Sequence, residues 1–210
     1  MAFPVLRRTL IPIFLRGVHV SGVENLPDEP PYILAVSHVN YLDAPMVTAA
    51  VIRARGKAVS FLTKMPIVKM FGPLSRGYLG MIPVDPVDKK LSVTIACQRL
   101  AAGKIVGIFP EGTRNADPSH LLRGKTGAAR LAHLTGVPVI PVGTFGPTKI
   151  SAFKSLRLAL THGTHLAVKF GPAIRFPMVP EEQLTKELLV NSTRVIMRAI
   201  GKLTDKSYDF

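Results

Sequence analysis

A chain of 210 residues with 47% hydrophobic and 19% charged side chains is long enough for one sizeable core and too apolar to be disordered. The one cysteine, Cys97, excludes an internal disulfide, and no run of about 20 apolar residues is present to span a bilayer. Lys and Arg number 27 against 13 acids, a net charge of +14, so the surface favours polyanions such as lipid headgroups, nucleic acid or phosphorylated substrates.

The chain opens with a segment, residues 1–17, in which Arg7, Arg8 and Arg16 are set among Leu6, Leu10, Ile11, Ile13, Phe14 and Leu15. Pro12 interrupts the apolar run and no small-residue cleavage site follows, which argues against a signal peptide. The pattern suits a basic amphipathic segment lying on a membrane surface, and a surface helix packed on the domain is the alternative. Residues 18–210 then read as one domain, with His19 in a short strand. The continuous apolar run 32–36 predicts a buried strand, and a helix begins at Asp43, which can cap it, with Pro45 tolerated in the first turn. Residues 59–62 and 80–84 are further strands. Residues 88–102 form an amphipathic helix whose inner face is Leu91, Ile95 and Leu100 with Ala96 and Cys97 between, stopped by Gly103. A strand at 105–109 runs into a Pro-Glu-Gly loop. A helix at 127–135 ends at Gly136, strands follow at 139–142 and 166–170, and a helix closes the chain at 181–203. Strands alternating with helices predict a single α/β domain, a mostly parallel central sheet flanked by helices. Ligands in such folds gather at the carboxyl ends of the strands.

Two motifs fall at such ends. In Ser37-His38-Val39-Asn40-Tyr41-Leu42-Asp43, a carboxylate at that spacing can turn back onto one imidazole nitrogen and leave the other as a base. Imidazole is the side chain suited to accept a hydroxyl proton near neutrality. The plainer alternative is that Asp43 only caps the helix and His38 is a loop residue. In Phe109-Pro110-Glu111-Gly112-Thr113-Arg114-Asn115, Gly112 permits a sharp bend, Glu111 offers an acceptor for a substrate hydroxyl, and Arg114 offers a planar fork for phosphate. Arg123, Gly124 and Lys125 follow at a distance suited to the same loop. An ordinary charged surface turn is the alternative.

Together, and in this order, H-x-x-x-x-D and F-P-E-G-T-R resemble the first and third signatures of the glycerolipid acyltransferase family, lysophosphatidic acid acyltransferase type. Gly80-Met81-Ile82-Pro83-Val84-Asp85 is similar to its second block and Val137-Pro138-Val139-Ile140-Pro141-Val142 to its fourth. Residues 123–132 and 20–27 match segments that commonly lie between and before these blocks, so the likeness covers residues 18–175. The resemblance implies that His38 is the general base and that Asp43 orients it and stabilises the imidazolium. It implies substrate contacts at Glu111, Gly112, Thr113, Arg114, Arg123 and Lys125, with Arg114 on the acceptor phosphate. Acyl transfer would then be direct, from acyl-CoA or an acyl-carrier protein to a lysophosphatidic acid-like hydroxyl, with no cofactor, no metal and no acyl-enzyme. The setting implied is phospholipid synthesis on the cytoplasmic face of a bacterial inner membrane.

One departure from the family pattern bears on the acceptor. Pro86 stands where the second block usually has an arginine. Lys89, Lys90 or Arg76 can supply charge there, but lysine lacks the bidentate fork. That leaves open a different lysophospholipid or lipid alcohol, or a non-catalytic lipid-binding role on the same scaffold. Residues 57–79 mix Phe61, Leu62, Met65, Ile67, Val68, Met70 and Phe71 with Lys57, Lys64, Lys69 and Arg76, which suits an apolar groove or membrane contact as well as a buried strand and helix. His19 and His133 read as structural, His162 and His165 as a turn, and Cys97 as a core residue. With four tyrosines, no tryptophan and no recognition motif, a nucleic-acid partner is not expected.

Overall fold

The computed structural model describes residues 15–72, 80–84, 89–148 and 166–210. The segment expected on the membrane lies outside the described residues except for 15–17, as do Arg76, Asp85, Pro86, His162 and His165. In chain order the elements are β1 (Val18–Ser21), β2 (Tyr32–Val36), α1 (Asp43–Arg55), β3 (Val59–Lys64), α2 (Met65–Phe71), β4 (Ile82–Val84), α3 (Lys89–Ala101), β5 (Ile105–Ile108), α4 (Gly127–Thr135), β6 (Val139–Phe145), β7 (Leu166–Phe170) and α5 (Lys186–Thr204).

The strands form one sheet in the order β1-β7-β6-β2-β5-β3-β4. Neighbours are parallel except at β6–β7, which is antiparallel. The expectation of one α/β domain with a mostly parallel sheet therefore holds. All five residues of β2 are buried because both faces of the sheet are covered, as a parallel sheet requires. Tyr32, Leu34 and Val36 point into one core layer, with Met46, Val47 and Val51 of α1. Ile33 and Ala35 point into the other, with Leu131 of α4, Leu100 of α3 and Ile196 of α5. Each large aliphatic side chain so buried contributes about 1.5–3 kcal/mol. Burial pushes the Tyr32 phenol up to about 12, so it stays neutral in this layer.

This covering also locates the cleft. From β2 the chain crosses one face through α1 towards β3; from β5 it crosses the opposite face through α4 towards β6. The two connections part in opposite directions, leaving a crevice at the carboxyl ends of the adjacent strands β2 and β5. That divergence is where open α/β sheets bind ligands.

Three local expectations change. In α3 the inward stripe is Ser92, Ala96 and Leu100, while Leu91 is 49% exposed. Small residues are wanted there because α3 lies close on α4 and β4, and Ser92 Oγ donates to Pro83 O at 3.1 Å. The last helix starts at Lys186, not 181. Glu181–Gln183 is a 3-10 turn after Pro180, and Thr185 caps the helix by accepting from Leu188 N at 3.1 Å. Asp43 is the first helical residue of α1 and not its cap; its carboxylate turns back to the preceding loop.

Candidate active site

The loop after β2 is fastened before it turns. Thr144 of β6 donates its N–H to Ser37 Oγ at 2.8 Å and its hydroxyl to Ser37 O at 3.0 Å. The chain then curls around a wholly buried Asp43. Its Oδ2 accepts from Val39 N at 2.6 Å, Asn40 N at 2.9 Å and the His38 ring at Nδ1, 2.8 Å away. Asn40 Oδ1 accepts from Leu42 N at 2.7 Å and closes the turn. Three donors and the positive end of α1 offset the cost of burying this charge. A carboxylate only accepts, so Nδ1 carries the ring proton and Nε2 is left with a free lone pair.

The second loop grips the first. The carboxylate of Glu111, only 4% exposed, accepts from His38 N through Oε1 and from Leu122 N through Oε2, each at 3.1 Å. Asn115 N donates to His38 O at 2.6 Å, and Asn115 Nδ2 holds the loop by donating to His120 O at 2.7 Å. Both backbone polar groups of His38 are thus set by the loop after β5. The imidazole, 21% exposed, stacks on Phe109 with centroids 4.0 Å apart, and Phe109 stacks on Phe61 at 5.2 Å. The ring is held by Asp43 at one edge and by Phe109 on one face.

Cations lie on and against the loops that carry this base. Arg114 Cζ lies 3.8 Å over the Tyr41 ring, and both residues are exposed. Thr113 is exposed beside Arg114. Gly112 has φ +69°, and any Cβ there would run into the Lys125 ammonium, so Lys125 lies against the Glu111–Arg114 loop. Lys125 N also donates to Pro110 O at 2.8 Å. Arg123 points elsewhere and lines a cleft against α5. Among the described residues no carboxylate pairs with Arg114, Arg123 or Lys125. Unpaired cations on the loops that hold a base fit an anionic substrate.

Sequence reasoning passed over Phe109, Tyr41, Asn115 and Thr144. Tyr41 and Asn115 sit inside the motifs and were visible there as spacers only; the Ser37–Thr144 tie joins residues 107 apart and has no local signal. Other candidates are committed to the scaffold. His133 is buried, bonded to Pro177 O and Ser192 Oγ, each at 2.8 Å. Cys97 is half-buried on α3, and burial pushes its thiol up, away from the nucleophilic thiolate. Among the described residues no three His, Cys, Asp or Glu side chains cluster to hold a metal, and no helix is long and apolar enough to cross a membrane.

Comparison with known proteins places this geometry in context. The Acyltransferase family model matches residues 17–144, which include both loops. A 1-acyl-sn-glycerol-3-phosphate acyltransferase of Bacillus subtilis is 27% identical over 197 residues, 90% of this chain and 89% of that protein. A chloroplastic 1-acyl-sn-glycerol-3-phosphate acyltransferase of Arabidopsis thaliana is 30% identical over 152 residues, 70% of this chain, which spans 40% of the plant protein. The crystal structure of the 1-acyl-sn-glycerophosphate acyltransferase of Thermotoga maritima shares the fold. Its TM-score is 0.64 at 22% identity, covering 99% of this chain and 80% of that one.

Proposed function

The chain belongs to the acyltransferase family, and from that premise we propose that it moves a fatty acyl group from an acyl thioester to a hydroxyl of a lysophosphatidic acid-like glycerolipid. The observation that carries this reading is His38, fixed through Nδ1 by buried Asp43, with the unpaired Arg114 over Tyr41 of the same loop and Lys125 against Gly112 of the facing one. The named activity of the Bacillus relative, which this chain matches over nearly its whole length, supports the same acceptor class.

In this mechanism His38 Nε2 takes the acceptor hydroxyl proton as that oxygen forms a bond to the thioester carbonyl carbon. Asp43 stabilises the imidazolium that results. The tetrahedral intermediate then expels sulfur, the C–S bond breaks, and the imidazolium proton passes to the leaving thiolate. Products are one ester and one thiol, and His38 is restored. A positioned base contributes about 10²–10⁴ in rate. Glu111 serves by fixing the His38 amide, and Gly112 lets the loop and Lys125 come together. Arg114, exposed and already oriented by Tyr41, takes the acceptor phosphate.

The test of the phosphate assignment is Arg114→Ala with lysophosphatidic acid as acceptor. A charge-assisted bidentate contact is worth about 1.5–3 kcal/mol, so KM for the acceptor should rise about 10–100-fold with a smaller change in kcat. An unchanged KM would place the phosphate elsewhere.

Such an acceptor resides in a bilayer, and a surface of net charge +14 is drawn to anionic headgroups, here those of the cytoplasmic face of a bacterial inner membrane. Binding to phosphatidylglycerol vesicles should therefore weaken steeply between low and physiological salt. Equal retention on neutral vesicles would remove the electrostatic contribution.

A further inference from the structure

The two loops of the site meet at a third point, which side chains alone make. Glu111 takes the His38 amide, Asn115 gives its amide to the His38 carbonyl, and Tyr41 of the first loop meets Arg114 of the second. Tyr41 sits in the turn that carries the base, between Asn40 and Leu42. Both neighbours are buried, and Asn40 Oδ1 ties them by accepting from Leu42 N at 2.7 Å. With its neighbours so fixed, the Tyr41 ring is left 46% exposed. Arg114 is rooted in the same way. Asn115 beside it is buried, donates through Nδ2 to His120 O at 2.7 Å and accepts at Oδ1 from Asp117 N at 2.9 Å, while the Arg114 side chain is exposed.

Each partner is therefore an exposed side chain on a fixed backbone, and an exposed arginine left alone has many rotamers to lose on binding. Here the guanidinium carbon lies 3.8 Å over the centre of the Tyr41 ring. A stack of this kind uses the flat face of the guanidinium and spends none of its N–H groups. The fork stays open to two oxygens of one phosphate. Among the described residues no carboxylate competes for it. The ring belongs to the loop of His38 and the cation to the facing loop, so the stack fixes a phosphate anchor relative to the base.

We infer that Tyr41 is a positioning residue for the acceptor: its ring presets Arg114, and through Arg114 it sets where a phosphomonoester is held relative to His38. Tyr41 acts through the arginine and needs no contact of its own with the acceptor, and its hydroxyl has no part in the effect. The inference rests on the acyl-transfer reading and deepens it, by naming what holds the phosphate-binding arginine ready.

The experiment uses the full chain and two readouts. Calorimetry with hexanoyl lysophosphatidic acid, short enough to stay monomeric, is run on wild type, Tyr41→Leu, Tyr41→Phe, Arg114→Ala and the Tyr41→Leu/Arg114→Ala double variant. Monohexanoylglycerol, which lacks the phosphate, is the control. An exposed cation–π contact predicts binding weaker by about two- to fivefold in Tyr41→Leu and restored in Tyr41→Phe. In the double variant binding should equal that of Arg114→Ala alone, because contacting residues that act as a unit are not additive. In parallel, Tyr41→Leu should raise KM for the acceptor by the same factor, with a smaller change in kcat. Arg114→Lys, which keeps the charge but not the flat face, probes the contact from its other side and should match Tyr41→Leu in losing the stack. Four results overturn the inference: no binding by wild type, Tyr41→Phe as weak as Tyr41→Leu, a Tyr41→Leu loss of equal size without Arg114, or a fall in kcat with KM unchanged. Acyl transfer with no coupling between Tyr41 and Arg114 would sink the inference and leave the activity standing. Coupled binding of the phosphorylated probe without any acyl transfer would do the reverse.

Discussion

His38→Ala should lower acyl transfer by about 10³-fold while the chain remains folded. The rate falls because Nε2 is the one basic atom placed by Asp43, and nothing else in either loop has the geometry to replace it. The fold persists because the backbone at this position does not depend on the ring. Glu111 holds the His38 amide, Asn115 holds its carbonyl, and Asp43 keeps its bonds to Val39 N and Asn40 N. What is lost is the stack on Phe109, worth about 0.5–1.5 kcal/mol, and one of the three bonds to Asp43, worth about 1.5–3 kcal/mol. Initial rates and a thermal melt on the same preparation check both halves. Turnover within a few fold of wild type would remove His38 from the mechanism.

Asp43→Asn should cost about as much activity for a different reason. A carboxamide must keep its oxygen where Oδ2 accepts from Val39 N, Asn40 N and His38 Nδ1, so the turn and the tautomer survive, but the negative charge that stabilises the imidazolium is gone. A loss within the about 10²–10⁴-fold that a positioned base contributes follows, with the neutral ring still protonated at Nδ1 in the imidazole ¹⁵N spectrum of the variant. Asp43→Ala is harsher, because it strands three buried donors at about 1–3 kcal/mol each. Their sum approaches the whole stability of a domain of this size, so that variant should not fold at ordinary temperature. An Asp43→Asn enzyme with wild-type rates would show that the charge of the carboxylate is dispensable.

The contrast between Asp43 and Glu111 shows what could be read from sequence. The His38–Asp43 pairing is local, so its spacing alone suggested a carboxylate folding back on an imidazole. Glu111 looked like a free acceptor offered to a substrate, yet in the fold each oxygen takes a backbone amide, one of them 73 residues away. Likewise the apolar run of β2 and the glycine that ends α4 were plain, because burial on both faces and a left-handed cap leave local marks. The inward face of α3 was misread because size was taken as the guide where close approach requires Ser92 and Ala96. Neither the antiparallel entry of β7 beside β6 nor the Phe61–Phe109–His38 stack has a local cause, since both arise when distant strands meet.

The most direct test of the central claim is thiol release from a long-chain acyl thioester, with and without lysophosphatidic acid, by wild type and His38→Ala. Direct base-catalysed transfer predicts release only when acceptor is present, one thiol per new ester, and almost none from the variant. Release at the same rate without acceptor, with free fatty acid as product, would make the protein a hydrolase and contradict the account.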